Sequence, residues 1–217
     1  MKKKILVTRR LLRSNEEKAS KLWDVKLNLN DELYSKSKLI DLSKDCDGIL
    51  SSLTDNIDSE VINALPKTVK IISNYAVGFG NIDHQEAKKK NIIVTNTPDV
   101  LTEATAEIAM LIILGACRRA NEGMAYARKG NWKWASDFLI GKQLTGSRLG
   151  ILGMGRVGRA LAKIAKAFGM EIHYRNRSKL SPELEMGAKF HENIKSLFSV
   201  SDVLSICCPA TKETKDI

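Results

Sequence analysis

Arg148-Leu149-Gly150-Ile151-Leu152-Gly153-Met154-Gly155-Arg156-Val157-Gly158 decides the fold of this chain. Residues 148–152 form a short apolar run that reads as a buried β-strand entering Gly153 directly. Beyond the turn, Val157, Leu161, Ile164, Ala165 and Phe168 recur at helical spacing, and Gly169 supplies the stop. Residues 170–174 then read as a second strand, so the glycines occupy the turn of a βαβ unit close to the ~30 residues expected for dinucleotide binding. The motif G-x-G-x-x-G is weak evidence alone; the strand before it and the helix behind it give it meaning. Gly153 permits the tight turn, Gly155 lets a pyrophosphate approach the backbone, and Gly158 lets helix and strand pack closely. The amides of Arg156 and Val157 then face phosphate at the positive end of the helix.

Choice of dinucleotide is made at the end of the second strand, roughly 20 residues past the turn, where NAD enzymes place an acid on the ribose hydroxyls. Here the segment is Tyr174-Arg175-Asn176-Arg177-Ser178, with no acid. Arg175, Asn176, Arg177 and Ser178 suit a 2′-phosphate instead, since charge-assisted hydrogen bonds contribute about 1.5–3 kcal/mol each. NADP(H) is therefore expected over NAD(H), against the plainer reading of arginines in a solvated loop.

N-terminal to this unit, short β-branched runs at residues 4–8, 24–27, 48–53, 69–73 and 92–95 alternate with amphipathic segments such as 59–65 and 83–90. That alternation predicts a parallel α/β sheet with short crossovers, punctuated by Pro66 and Pro98. Residues 101–119 read as one long helix with Ile108, Met110, Leu111, Ile112, Ile113 and Leu114 crowded on more than one face, which predicts burial, often between domains or subunits. A polar stretch holding Trp132 and Trp134 follows. After the second strand, a third at residues 203–207 is the last expected, so the dinucleotide sheet is expected to stop at about three strands.

Composition excludes several classes. Hydrophobic residues make up 43% of the 217 and charged residues 28%, enough for a core and too ordered for a disordered tail. No run approaches the ~20 apolar residues of a membrane span, and Ile5-Leu6-Val7 after the lysines is too short for a signal sequence; the protein is expected to be soluble and cytoplasmic. Cys46, Cys117, Cys207 and Cys208 have no metal spacing and read as buried reduced thiols. The formal net charge of +10 would suit nucleic acid, but the lysines are dispersed and aromatic residues are only 6%, so no stacking platform interleaves with them. A solvated basic surface, without nucleic acid or membrane as partner, is the expectation.

Several stretches together resemble the D-isomer-specific 2-hydroxyacid dehydrogenases, and within them the glyoxylate/hydroxypyruvate reductases. They are Asn74-Tyr75-Ala76-Val77-Gly78-Phe79-Gly80-Asn81-Ile82-Asp83, Asn96-Thr97-Pro98, Leu101-Thr102-Glu103-Ala104-Thr105-Ala106-Glu107, Leu144-Thr145-Gly146, the glycine turn, and Ser201-Asp202-Val203-Leu204-Ser205 leading into Cys208-Pro209-Ala210-Thr211. The resemblance implies a flavodoxin-like substrate domain over residues 1–97, a Rossmann coenzyme domain over 98–217 and an active site in the cleft between them. It implies that Ala76, Val77 and Gly78 offer backbone amides to a substrate carboxylate, that Thr105 lies near the nicotinamide, and that Cys208, Pro209 and Thr214 line the adenosine side. Cys207 departs from the pattern, many relatives carrying histidine there.

Reduction of a 2-keto acid needs a proton donor for the alkoxide and a cation for the carboxylate. The family supplies these as an Arg, a Glu and a His, and His84, His173 and His191 each sit at positions that read as surface or packing residues. The catalytic groups are therefore expected beyond Ile217, with this chain an inactive N-terminal two-thirds. The full-length protein is expected to be a homodimer that reduces glyoxylate or hydroxypyruvate. Some family members are corepressors, so a dinucleotide-sensing regulator of the same fold is the alternative.

Overall fold

The computed structural model describes residues 2–130, 132, 134–211 and 214–217. The chain divides into two compact units, Met1–Val100 and Leu101–Ile217.

In the first unit strands and helices alternate: β1 (Lys4–Val7), α1 (Arg13–Leu22), β2 (Asp24–Lys26), α2 (Lys36–Ser43), β3 (Gly48–Ser52), α3 (Ser59–Ala64), β4 (Ile71–Tyr75), α4 (His84–Lys89) and β5 (Ile93–Thr95). All pairings are parallel, in the order β2-β1-β3-β4-β5. Side chains start three of the helices: Ser35, Asp58 and Asp83 accept the amides of Lys38, Val61 and Glu86 at 3.3, 3.2 and 3.0 Å, the preferred N-cap chemistry. Leu6, Ile49 and Ile72 of the central strands pack with Leu39, Val61, Ile62 and Ala87 of the helices. The strand expected at residues 69–73 lies two residues later, because Val69 first closes a turn onto Pro66 O at 3.1 Å.

The second unit contains α5 (Thr102–Cys117), α6 (Ala120–Arg128), β6 (Arg148–Leu152), α7 (Arg156–Ala167), β7 (Glu171–Arg175), α8 (Pro182–Glu185), β8 (Lys189–Phe190), α9 (Ile194–Val200) and β9 (Val203–Ile206). Its sheet is parallel, in the order β8-β7-β6-β9. Four strands replace the three expected, because β8 has two residues and leaves no alternation to detect. The helix expected over residues 101–119 ends at Cys117; Arg119 takes a left-handed φ of 50° and the chain re-enters helix as α6, within the stretch read as polar. Burial around α5 is also narrower than expected. Packing against α7 covers Ala106, Met110 and Ile113, whereas Ile108, Leu111 and Ile112 remain 55%, 62% and 64% exposed.

All four cysteines are free, but only Cys46 is buried; Cys117, Cys207 and Cys208 are half-buried, the last two lying just past the end of β9. Among the described residues no helix is long and apolar enough to cross a membrane.

Candidate functional site

β6 is buried from Leu149 to Leu152 and delivers the chain to Gly153 at the carboxyl end of the second sheet. Gly153 has φ 94°, and a Cβ there would stand 2.5 Å from the Cys208 backbone nitrogen. Conformation and space both demand glycine. The Gly155 amide bonds Gly153 O at 2.8 Å to close the turn, and Gly155 then caps α7. A Cβ on Gly158 would lie 2.7 Å from Gly153 O, so this helix sits against the turn as closely as backbone allows. Gly155 is different: a Cβ there would meet nothing within 4 Å, leaving open space in front of the helix start. The first intrahelical bond is Arg159 N to Gly155 O at 2.9 Å, so the amides of Val157 and Gly158 have no carbonyl one turn behind them inside α7. N–H groups and helix dipole at such a start favour an anion.

The end of β7 is fastened to this turn. Gly153 N–H donates to Arg175 O at 2.9 Å, and Met154 N–H donates to Asn176 Oδ1 at 2.6 Å, with Asn176 Nδ2 reaching Met154 O at 3.4 Å. Both ends of the Asn176 amide thus hold the turn. Arg175 is half-buried, its guanidinium carbon 5.8 Å from the Phe190 ring centroid, and its Nε is buried with no hydrogen-bond partner in the protein. Arg177 and Ser178 are exposed. What ties Arg175 to the helix start is its main-chain carbonyl, through the Gly153 amide.

The third wall comes from the end of β9. Cys207 N–H bonds Leu152 O at 2.8 Å, which carries the Cys208 backbone onto Gly153, and Thr214 Oγ1 donates to Pro209 O at 2.7 Å. Burial pushes the Cys207 thiol pKa up, so it remains a neutral packing group. Glycine turn, Arg175, Asn176 and Cys208 are therefore brought together; Thr105 lies on another element, one turn into α5 and exposed.

In the first unit, the loop after β4 has its carbonyls tied inward. Ala76 O accepts Thr97 N–H at 3.0 Å, Val77 O accepts Asn96 Nδ2 at 2.7 Å and Gly78 O accepts Asn74 Nδ2 at 2.9 Å. In a trans peptide the N–H points opposite to the C=O of the same plane. The N–H groups of Val77, Gly78 and Phe79 are consequently turned away from those donors. Asn74 is fully buried, also meeting Asn81 Oδ1 at 3.0 Å and Ser51 Oγ at 3.1 Å, while Asn81 Nδ2 holds Ser52 O and Asp55 O at 2.9 and 3.1 Å. Asn74 and Asn81 lie in the motif at residues 74–83, where sequence alone gives them no role. Their buried polarity is a signal only once neighbours are known.

The histidines are engaged elsewhere. His84 opens α4 edge-on to Phe79, ring centroids 5.3 Å apart. His173 Nδ1 and His191 Nε2 lie 2.8 Å apart, and His191 Nδ1 is 3.1 Å from Ser196 Oγ.

Residues 110–217 match the D-isomer specific 2-hydroxyacid dehydrogenase, NAD binding domain model. The glycerate dehydrogenase of Hyphomicrobium methylovorum is 40% identical over 217 residues, covering 99% of this chain and 67% of the relative. The chain belongs to the D-isomer-specific 2-hydroxyacid dehydrogenases. The glyoxylate reductase of Thermococcus litoralis is likewise 40% identical, over 99% of this chain and 66% of its own length. A solved D-isomer specific 2-hydroxyacid dehydrogenase from Polaromonas sp. JS6 66 superposes with a TM-score of 0.91 at 40% identity, covering 98% of this chain and 67% of that one. The 2-hydroxyacid dehydrogenase chain described here thus spans about two thirds of the length of the relatives it matches. Its second unit carries the family's Rossmann-type NAD-binding domain, and the cofactor class is a nicotinamide dinucleotide.

Proposed function

We propose that this protein is an NADP(H)-dependent reductase of a small 2-keto acid, glyoxylate or hydroxypyruvate, forming the 2-hydroxy acid. One observation carries the cofactor half: the strand end fastened to the glycine turn carries Arg175, Arg177 and Ser178 with no carboxylate among them. The bound cofactor supplies a hydride to the substrate carbonyl carbon. In this reading Gly153, Gly155 and Gly158 with the amides of Arg156 and Val157 hold the pyrophosphate, and Arg175, Arg177 and Ser178 take the 2′-phosphate. Asn176 keeps the turn in shape, Cys208, Pro209 and Thr214 line the adenosine side, and Thr105 lies toward the nicotinamide. The amides of Val77 and Gly78, with Ala76 O anchored behind them, take the substrate carboxylate. We assign the substrate domain to residues 1–97 and the coenzyme domain to 98–217.

The names of the relatives, glyoxylate reductase and glycerate dehydrogenase, support the substrate class. The proton donor is assigned to none of His84, His173 and His191, given their partners. Free cysteines suit a reducing cytoplasm. The exposed face of Ile108, Leu111 and Ile112 is assigned to pairing with a second copy.

Replacing Arg175 and Arg177 together by alanine tests the assignment by dinucleotide titration. Two charge-assisted bonds at about 1.5–3 kcal/mol each predict a loss of about a hundredfold or more in NADPH affinity, with NADH affinity little changed. An unaltered ratio of the two Kd values overturns the NADP(H) reading.

A further inference from the structure

The segment following β7 is pinned at three points. The first is the Asn176 bond to Met154 at 2.6 Å. The second and third share one atom: the Tyr174 hydroxyl accepts Leu180 N–H at 3.0 Å and donates to Glu185 Oε1 at 2.5 Å. Tyr174 is fully buried, its ring tilted against Phe190 with centroids 5.3 Å apart, and Leu180 and Met186 pack against the same core. Burial first, and then the bond to Glu185, raise the phenol pKa, so the hydroxyl keeps its proton.

Between the Asn176 pin and the Leu180 pin stand Arg177, Ser178 and Lys179, all exposed. Glu185 Oε1 is also 3.9 Å from Lys179 Nζ. One carboxylate is therefore shared between a buried phenol and an exposed cation. Without the phenol, Leu180 N–H loses its acceptor and Glu185 loses its shorter partner, leaving the carboxylate to draw Lys179 inward.

We infer that the Tyr174 hydroxyl is a positioning group for dinucleotide selectivity: through Leu180 and Glu185 it fixes the segment at residues 177–179, whose Arg177 and Ser178 take the 2′-phosphate with Arg175. The inference rests on the NADP(H) reading above. Tyr174 itself lies in the core, so it acts through the segment and never touches the ligand. Its loss is felt in NADPH binding and spares NADH, because NADH asks nothing of residues 177–179.

Fluorescence titration of the full chain with NADPH and with NADH, alongside a melting curve for each variant, tests this. Tyr174→Phe is expected to raise the Kd for NADPH about fivefold or more, the loss of one hydrogen bond's worth of positioning, with the Kd for NADH within about twofold. Glu185→Gln keeps an acceptor for the phenol and is expected to hold the ratio; Glu185→Leu removes that acceptor while the phenol still holds Leu180 N–H, and is expected to shift the ratio in the same direction as Tyr174→Phe by a smaller factor. Where Tyr174→Phe does not fold, the Glu185 pair decides. Equal weakening of both dinucleotides, or an unchanged ratio in a wild-type protein that prefers NADPH, overturns the positioning role alone. A wild type with no preference for NADPH overturns the NADP(H) reading and this inference with it.

Discussion

Replacing Gly153, Gly155 and Gly158 one at a time by alanine separates what the turn owes to its own packing from what it offers a ligand. A Cβ on Gly158 would stand 2.7 Å from Gly153 O and 3.1 Å from Ile151 Cγ2, and the first of these is backbone that cannot swing aside. Overpacking of this kind costs about 1–3 kcal/mol, here at the upper end, against a gain of roughly 1 kcal/mol for Ala over Gly inside a helix. The net loss of about 2 kcal/mol corresponds to a Tm lower by about 4–8 °C in a chain of this size. Gly153→Ala adds strain at φ 94° to a 2.5 Å approach to Cys208 N. With about 1–3 kcal/mol from each source, it should melt lowest of the three. Gly155 has φ −78° and nothing within 4 Å of its absent Cβ. Gly155→Ala should therefore melt only about 2–3 °C below wild type, the cost of the poorer N-cap preference of Ala. Its larger cost is expected in binding: a methyl in the open space where we place the pyrophosphate should weaken dinucleotide binding about tenfold or more. Calorimetry and fluorescence titration on the three variants give both readouts. If Gly155→Ala melts as low as Gly158→Ala, or binds dinucleotide like wild type, the division of labour argued here is wrong.

Acid should weaken the fold through His173. Burial first, and then His191 beside it, lower its pKa from 6.5, with Lys189 and Arg148 adding to the shift and Glu171 opposing it. The folded state holds the neutral ring while the unfolded chain takes up a proton, so stability present above about pH 6.5 is lost as pH falls below it. A pH series of melting curves should show that slope in wild type and a flatter one in His173→Gln; parallel curves would sink the assignment. Asp31, Asp45 and Asp202 are held well below the usual carboxylate range, chiefly by hydrogen bonds from Arg9, Lys26 and Arg148, so their contributions go only in stronger acid, below their ordinary 3.8. Asn74→Ala should lower Tm by several degrees, since it strands the Gly78 carbonyl and the Ser51 hydroxyl at about 1–3 kcal/mol. Val77→Ala, which leaves every main-chain bond of that loop in place, should melt close to wild type; equal melting of the two variants would refute the role given to Asn74.

Local features of the fold were legible and tertiary ones were not. The glycine turn could be read because each glycine answers to a backbone constraint within a dozen residues. The alternation before residue 100 could be read because every strand there is either long enough or bounded by a break. β8 escaped because Lys189 and Phe190 show no period, and α6 because one left-handed residue, Arg119, breaks a pattern that composition suggests has simply turned polar. Burial of α5 was over-read: hydrophobicity marks what a helix is able to bury, and the neighbours decide which stripe is covered. In the site, arginines at a strand end announce an anion, but the bonds of Asn176 to Met154 and of Tyr174 to Glu185 join residues whose partners no spacing rule supplies. The contact of Cys208 with Gly153 is of the same kind.

The loop at residues 76–78 shapes how this surface tolerates change. Its outward donors are main-chain amides, and no substitution other than proline deletes an amide. The side chains of Val77 and Phe79 are therefore free to drift without removing the donor set, while Asn74 and Asn96, which hold the carbonyls from behind, are not. Selection at such a place falls on residues one layer beneath the loop. A survey of natural variants should find its invariant letters there, and its variety in the residues that stand in front.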